Sequence, residues 1–313
     1  MDDACAKSQG KLAEIFGRIN LSELPAIGSH VSEVVALTTK KEVRAPELAR
    51  VILKDYSLTN KVLQVVNSAY YSRGVPITTI ERAVAALGIE VIRELAVTIS
   101  LVDEFLKSGV EKDGLAQELA LSYMSAHLAK EISHRKKLLV LPEEAYICAL
   151  LHELGRIVVV IYLPDLYRRI DMARKSGGNE EKLSRLILKG LSLYELGMEI
   201  GRFWNFSETI INAMDNEPPL FENQLDNQLT LQHLAVFTNR FTREVSESAD
   251  PSETMKYYGP AFKVSSNELL TILHKLLEEE ASVSEIIRFG LTRLRMKSRV
   301  LQALKNCRPT AAA

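Results

Sequence analysis

Cysteine is scarce in this chain: three in 313 residues, at Cys5, Cys148 and Cys307, an odd number with no CxxC spacing. That pattern excludes a disulfide framework, so reduced thiols and a cytoplasmic setting are expected. Aromatic residues are also few, at 6%, while Leu, Ile, Val and Ala are plentiful, a balance that favours helices packed on helices over a sandwich of sheets. Neither charge sign dominates, with 39 basic residues against 40 acidic ones, so no global field draws the protein to nucleic acid or anionic lipid. The longest apolar run is interrupted by His152, Glu153 and Arg156, and no membrane span is expected. The opening MDDACAKSQGK has no basic region followed by an apolar one, so it does not read as a secretory signal. GxSxG, P-loop and HExxH patterns are absent, as is any repeat of fixed period.

Helical periodicity fills most of what remains. Leu12, Ile15, Phe16 and Ile19 mark a first helix, and Val31, Val34, Val35 and Thr38 a second. APELARVILKD restarts with Pro46 near the first helical position, and Leu58, Val62, Val65 and Val66 form the stripe of the next helix. TIERAVAALGIEVIRELAVTISLVDEFL predicts two helices hinged near Gly88, and EEKLSRLILKGLSLYELGMEIGRFWNF a helical stretch broken around Gly190. SESADPSETMKYYGPAF is the longest loop candidate. ALLHELGRIVV puts His152 and Glu153 side by side in an apolar helix. A buried Glu153 is costly unless paired, and Arg156, one turn on, is the partner within reach.

Two segments resemble a known family. Residues 47 to 97 carry the Asn67-Ser68-Ala69 triplet, Ile77 and Ile80 at fixed spacing, and the Ala86-Leu87-Gly88 hinge; residues 149 to 159 hold His152 and Glu153 where a His-Asp pair would stand. Over roughly residues 17 to 216 the chain resembles HDOD domains, bacterial signalling modules related to the HD phosphohydrolase superfamily. The resemblance implies an all-α multi-helix bundle, with an HD-superfamily-like core and an N-terminal helical subdomain. From the residues alone, Asn67 and Ser68 read as helix-end hydrogen bonders, and Tyr70 and Tyr71 as aromatics closing a bundle.

An HD enzyme is expected to gather an early His, the adjacent His-Asp and a later Asp around a divalent ion. Here the early position falls near Leu121 or Ser122, and His127, further along, turns to another face. Glu153 replaces the Asp, Thr238 and Asn239 stand where the late carboxylate belongs, and Asp215 and Asn216 end a stretch that in better-endowed relatives ends in histidines. His152 therefore reads as a core histidine. No catalytic residue, cofactor or metal ligand is assigned, and His152 and Glu153 are kept as vestigial metal candidates. A Cys148/His152 dyad reads as ordinary helix packing.

PELARVILKDYSLTNKVLQVV has the form of a helix-turn-helix, with Ser57, Thr59, Asn60, Lys61 and Gln64 at the second helix's start but few cations beside them. The C-terminal Arg288, Arg293, Arg295, Lys297, Arg299, Lys305 and Arg308 have no acid in their own stretch, a pattern open to an acidic partner or nucleic acid, but with the Glu278 to Glu280 run nearby to offset them they read as a solvated basic face. The expectation is a stand-alone, non-enzymatic regulatory module acting through protein partners, with no membrane and no nucleic acid, and with self-association left open. The alternative is a divergent metal-dependent phosphohydrolase acting on nucleotides or cyclic dinucleotides. Expected units are an N-terminal subdomain over 1–110, a degenerate HD-like core over 111–245 and a helical extension over 246–313.

Overall fold

Every regular element among the described residues of the computed structural model is an α-helix. Those residues are 44–54, 56–66, 77–107, 112–188, 190–203, 206–220, 226–278 and 284–307. The helices expected before residue 40, the Asn67-Ser68-Ala69 triplet, Tyr70, Tyr71, Cys5 and Arg308 lie outside them. The chain divides into two compact units, one drawn from Met1–Gly109 and Arg168–Glu208, the other from Val110–Tyr167 and Thr209–Ala313.

In the first unit, α1 (Ala45–Leu53), α2 (Tyr56–Val66), α3 (Ile80–Leu87) and α4 (Ile89–Lys107) pack on one another. Leu48, Ile52, Leu58, Val62, Ile80, Leu87, Ile92 and Leu95 form their apolar core. The Thr79 hydroxyl caps α3 by accepting from the Arg82 N–H at 3.2 Å. Gly88, at φ +90, separates α3 from α4, a conformation that favours glycine and realises the expected hinge. The same unit holds α9 (Glu180–Ile187) and α10 (Leu193–Phe203), parted at Gly190 with φ +98. α10 opens on a capping box: the Glu195 N–H donates to Ser192 Oγ, and the Ser192 N–H to Glu195 Oε2. α8 (Pro164–Lys175) begins in the second unit, and its residues from Arg168 onward belong to the first.

The second unit is built around α5 (Lys112–Arg135), which packs against α6 (Pro142–Leu151), α7 (Leu154–Tyr162), α12 (Asn227–Ser248), α14 (Ser266–Glu278) and α15 (Glu285–Arg293). So many neighbours bury α5 on nearly all sides, which is why Leu115, Leu119, Leu121, Met124, Leu128 and Ile132 occur without a clean polar face. By length and composition Pro142–Tyr162 would pass for a membrane span, but 94% of that window is buried inside the protein. α11 (Glu208–Ala213) precedes α12, and α16 (Met296–Asn306) packs on α12, α14 and α15.

One expected loop is a helix. α13 (Ser252–Phe262) forms despite Pro260 in its last turns, because Tyr258 and Phe262 stack on Phe237 of α12 at 5.0 and 5.6 Å between ring centroids. Burial of three aromatic rings outweighs the local Gly-Pro signal.

Candidate functional site

The apolar helix expected across His152 and Glu153 is two helices. α6 ends at Leu151 and α7 begins at Leu154, with Glu153 at φ −94 and ψ 20, well off helical geometry. The break sends the two side chains to different partners. His152 is buried, and its Nδ1 lies 2.7 Å from the Ala213 carbonyl oxygen at the end of α11. A carbonyl only accepts, so Nδ1 carries the proton. Burial pushes the His152 pKa down, outweighing the Glu153 carboxylate beside it, so the ring is held neutral.

Glu153 faces three other charged side chains. Arg156 Nε donates to Glu153 Oε2 at 2.8 Å, the one-turn pair anticipated from spacing. Arg243, from α12, donates through Nη2 to Glu118 Oε2 at 2.8 Å and reaches Glu153 Oε1 at 3.4 Å. Arg156 Nε also lies 3.8 Å from Glu118 Oε2, and the Tyr167 hydroxyl donates to Glu118 Oε1 at 2.9 Å. Two carboxylates and two guanidiniums thus form a buried quartet with no net charge, joining α5, α7, α12 and the start of α8. Burial alone would raise both carboxyl pKa values. Arg243 and Arg156 around Glu118, and Arg156, Arg243 and His152 around Glu153, reverse that and hold both well below the usual carboxylate range.

Glu118 and Arg243 carry no short-range label in the sequence. Their signal is position: Glu118 shares the inward face of Leu115, Leu119 and Ser122, and Arg243 stands one turn beyond Asn239 on a buried face of α12. A charged residue on an apolar stripe calls for a buried counter-charge.

The other side chains at the positions of an HD metal site serve different ends. Ser122 is buried, and its hydroxyl has no hydrogen-bond partner among the described residues. His127 sits half-buried between Tyr123 and Tyr146, with ring centroids at 4.4 and 5.2 Å, and burial together with Lys130 pushes its pKa down to about 3. Asn239 Nδ2 donates at 2.9 Å to the Ala149 carbonyl near the end of α6 and at 2.9 Å to that of Ala235, so it satisfies a carbonyl close to the helix break. Thr238 Oγ1 donates to the Leu234 carbonyl at 2.9 Å. Asp215 Oδ1 accepts from the Glu217 N–H at 3.0 Å, and the Asn216 carbonyl accepts from Arg240 Nη2 at 2.8 Å.

These residues do not fit a divalent ion. Among the described residues no group of three or more His, Cys, Asp or Glu side chains could hold one. Glu153, the carboxylate beside His152, is already neutralised by guanidiniums, so an entering cation there would meet two fixed positive charges. His152 alone keeps the arrangement of a metal-binding imidazole, with one ring N–H donated to a backbone carbonyl.

An all-helical bundle with a buried His-Glu junction between two of its central helices defines a protein of the HD-like phosphohydrolase and HDOD fold class. Within that class the chain belongs to the HDOD domain family, whose model matches residues 24–218. That family is related to the HD phosphohydrolases. Solved structures share the fold: a candidate phosphohydrolase from Shewanella amazonensis SB2B has 20% identity, a TM-score of 0.58 and coverage of 94% of this chain and 97% of that one. An HDOD domain protein of unknown function from Geobacter sulfurreducens has 20% identity, a TM-score of 0.56 and coverage of 92% and 98%. A candidate signal transduction protein from Marinobacter aquaeolei VT8 has 16% identity, a TM-score of 0.54 and coverage of 96% and 67%. An uncharacterized protein of Treponema pallidum (strain Nichols) is 23% identical over 203 residues, 64% of this chain, which spans 38% of that relative's length.

Proposed function

We propose that the chain is a non-enzymatic regulatory module of bacterial signal transduction, acting through contact with protein partners in the cytoplasm. The observation that carries this reading is the quartet: Arg156 and Arg243 supply to Glu153 and Glu118 the positive charge that a metal ion would supply in a hydrolase. A phosphoester hydrolase of this class needs an ion with an open position for water, and here guanidiniums, which have no such position, stand against the carboxylates. Membership of the HDOD family and the likeness in fold to a candidate signal transduction protein support the signalling half of the reading. The cysteine usage agrees with a reducing compartment.

A divergent metal-dependent phosphohydrolase is the second reading, and the Nδ1–H bond from His152 to Ala213 is the observation in its favour. Elemental analysis of the purified chain, together with turnover assays on nucleotides and cyclic dinucleotides with added Mn, Fe or Mg, separates the two. The proposal expects no stoichiometric metal and no turnover. Metal at one equivalent, with hydrolysis abolished by His152→Ala, would overturn it.

A further inference from the structure

We infer that the buried quartet is a latch on α8, the helix through which the chain passes from the second unit into the first, so that a change at the quartet is felt along α8. The passage falls inside the helix, between Tyr167 and Arg168. Tyr167, the last residue before it, is the one whose hydroxyl donates to Glu118 Oε1, at 2.9 Å. Its ring lies over Gly114 of α5, where a Cβ would stand 3.1 Å from the ring's Cε1, so the missing side chain at 114 gives the tyrosine its seat. Glu118 accepts in turn from both Nη groups of Arg243, at 2.8 and 3.4 Å, and Arg243 and Arg156 keep it ionised. The bond from Tyr167 therefore ends on a full negative charge whose position Arg243 sets, and such a bond is stronger than one to a neutral acceptor.

α8 has little apolar anchorage of its own. Ile170 is its one buried residue, and Met172 is 66% exposed. Asp171 pairs with Arg174 and Lys175 inside the helix, and Arg174 lies 3.8 Å from Glu180. A helix with so few buried contacts opens locally at small cost, so a charge-assisted bond near its start weighs heavily on its protection.

The return passage has the same character. The chain re-enters the second unit between Glu208 and Thr209, at the start of α11, and the carbonyl of Ala213 at the end of α11 accepts from His152, the neighbour of Glu153. Stability alone does not call for this arrangement, because apolar side chains of similar volume often match or better a buried ion pair. Charged groups add fixed direction, and here that direction is used on the helices at which the chain leaves and re-enters the unit. Arg243 is the member of the quartet that solvent reaches most, its side chain 15% exposed against 3% or less for Glu118, Glu153 and Arg156, which makes it the input side of the latch.

The latch rests on the reading of the quartet as a substitute for a metal ion. It is tested by amide hydrogen exchange, followed by mass spectrometry, on the full chain without denaturant. Tyr167→Phe removes only the hydroxyl and is expected to speed exchange over residues 168–175 about tenfold, with α5 and α12 unchanged. Arg243→Lys is expected to speed the same amides, and Tyr167→Phe/Arg243→Lys to do so no more than Tyr167→Phe alone, since both act through Glu118. Val300→Ala, which opens a cavity at α16, is expected to lower the melting temperature and leave residues 168–175 as in the parent. Exchange in α8 unaltered by Tyr167→Phe, additive effects in the double variant, or the same rise in Val300→Ala would overturn the latch. If Arg243→Lys does not fold, the contrast between Tyr167→Phe and Val300→Ala decides. Stoichiometric metal with phosphoester turnover would instead sink the non-enzymatic reading, whereas unaltered α8 exchange without turnover removes the latch and leaves that reading standing.

Discussion

The Arg243 guanidinium gives Glu118 its shortest charged contact, at 2.8 Å, and without it the nearest cation is Arg156 at 3.8 Å. Arg243→Met should therefore leave a buried carboxylate under-compensated and lower the unfolding free energy by about 3–5 kcal/mol, read from urea denaturation. Adding Glu118→Gln should recover part of that loss, since the orphaned charge goes with it. Acid acts on the same core. His152 and His127 have pKa values held below that of the unfolded chain, so as pH falls under about 6.5 the unfolded state takes up protons first and stability drops. Glu118 and Glu153 have depressed values, so their stabilisation is complete above about 4.3 and is lost as pH falls further. Urea midpoints between pH 7 and 4 are expected to decline steadily, and a flat profile would contradict the burial of these groups. Of the quartet, only the Glu153–Arg156 pair was legible in the sequence, because three residues of helix bring such a pair together. Glu118 and Arg243 reach Glu153 through tertiary packing of α5 and α12, which local spacing does not encode.

At the scale of elements, the glycine breaks were readable because the cause is local: Gly88 and Gly190 take positive φ where other residues resist it. The break at His152–Glu153 and the helix α13 were not, since one depends on partners from α5, α11 and α12 and the other on stacking against Phe237. The docking of α15 on α5 hangs on one small residue. In Gly290→Ala the new methyl group meets backbone at Ala116, which cannot move aside as a flexible side chain would. The expected cost is about 1–3 kcal/mol, with hydrogen exchange rising first in α15 and α16, and protection left unchanged there would contradict the packing described.

For the molecule as a whole, composition already pointed to helices on helices, and the order of motifs to the HDOD family. What composition could not show is where the most apolar stretch goes. Pro142–Tyr162 lies under α5 and α12, yet α12 begins only at Asn227. During synthesis α5 precedes this segment but α12 follows it, and at about 5–20 residues per second the growing chain carries it without its α12 cover for several seconds. A chain ended at Asp226 is accordingly expected to precipitate when produced without added chaperones, whereas the full-length chain stays in solution; equal recovery of both would refute this. The burial that keeps a bilayer-grade segment inside the finished protein thus makes its birth the moment of greatest exposure to aggregation or to capture by the membrane-insertion machinery.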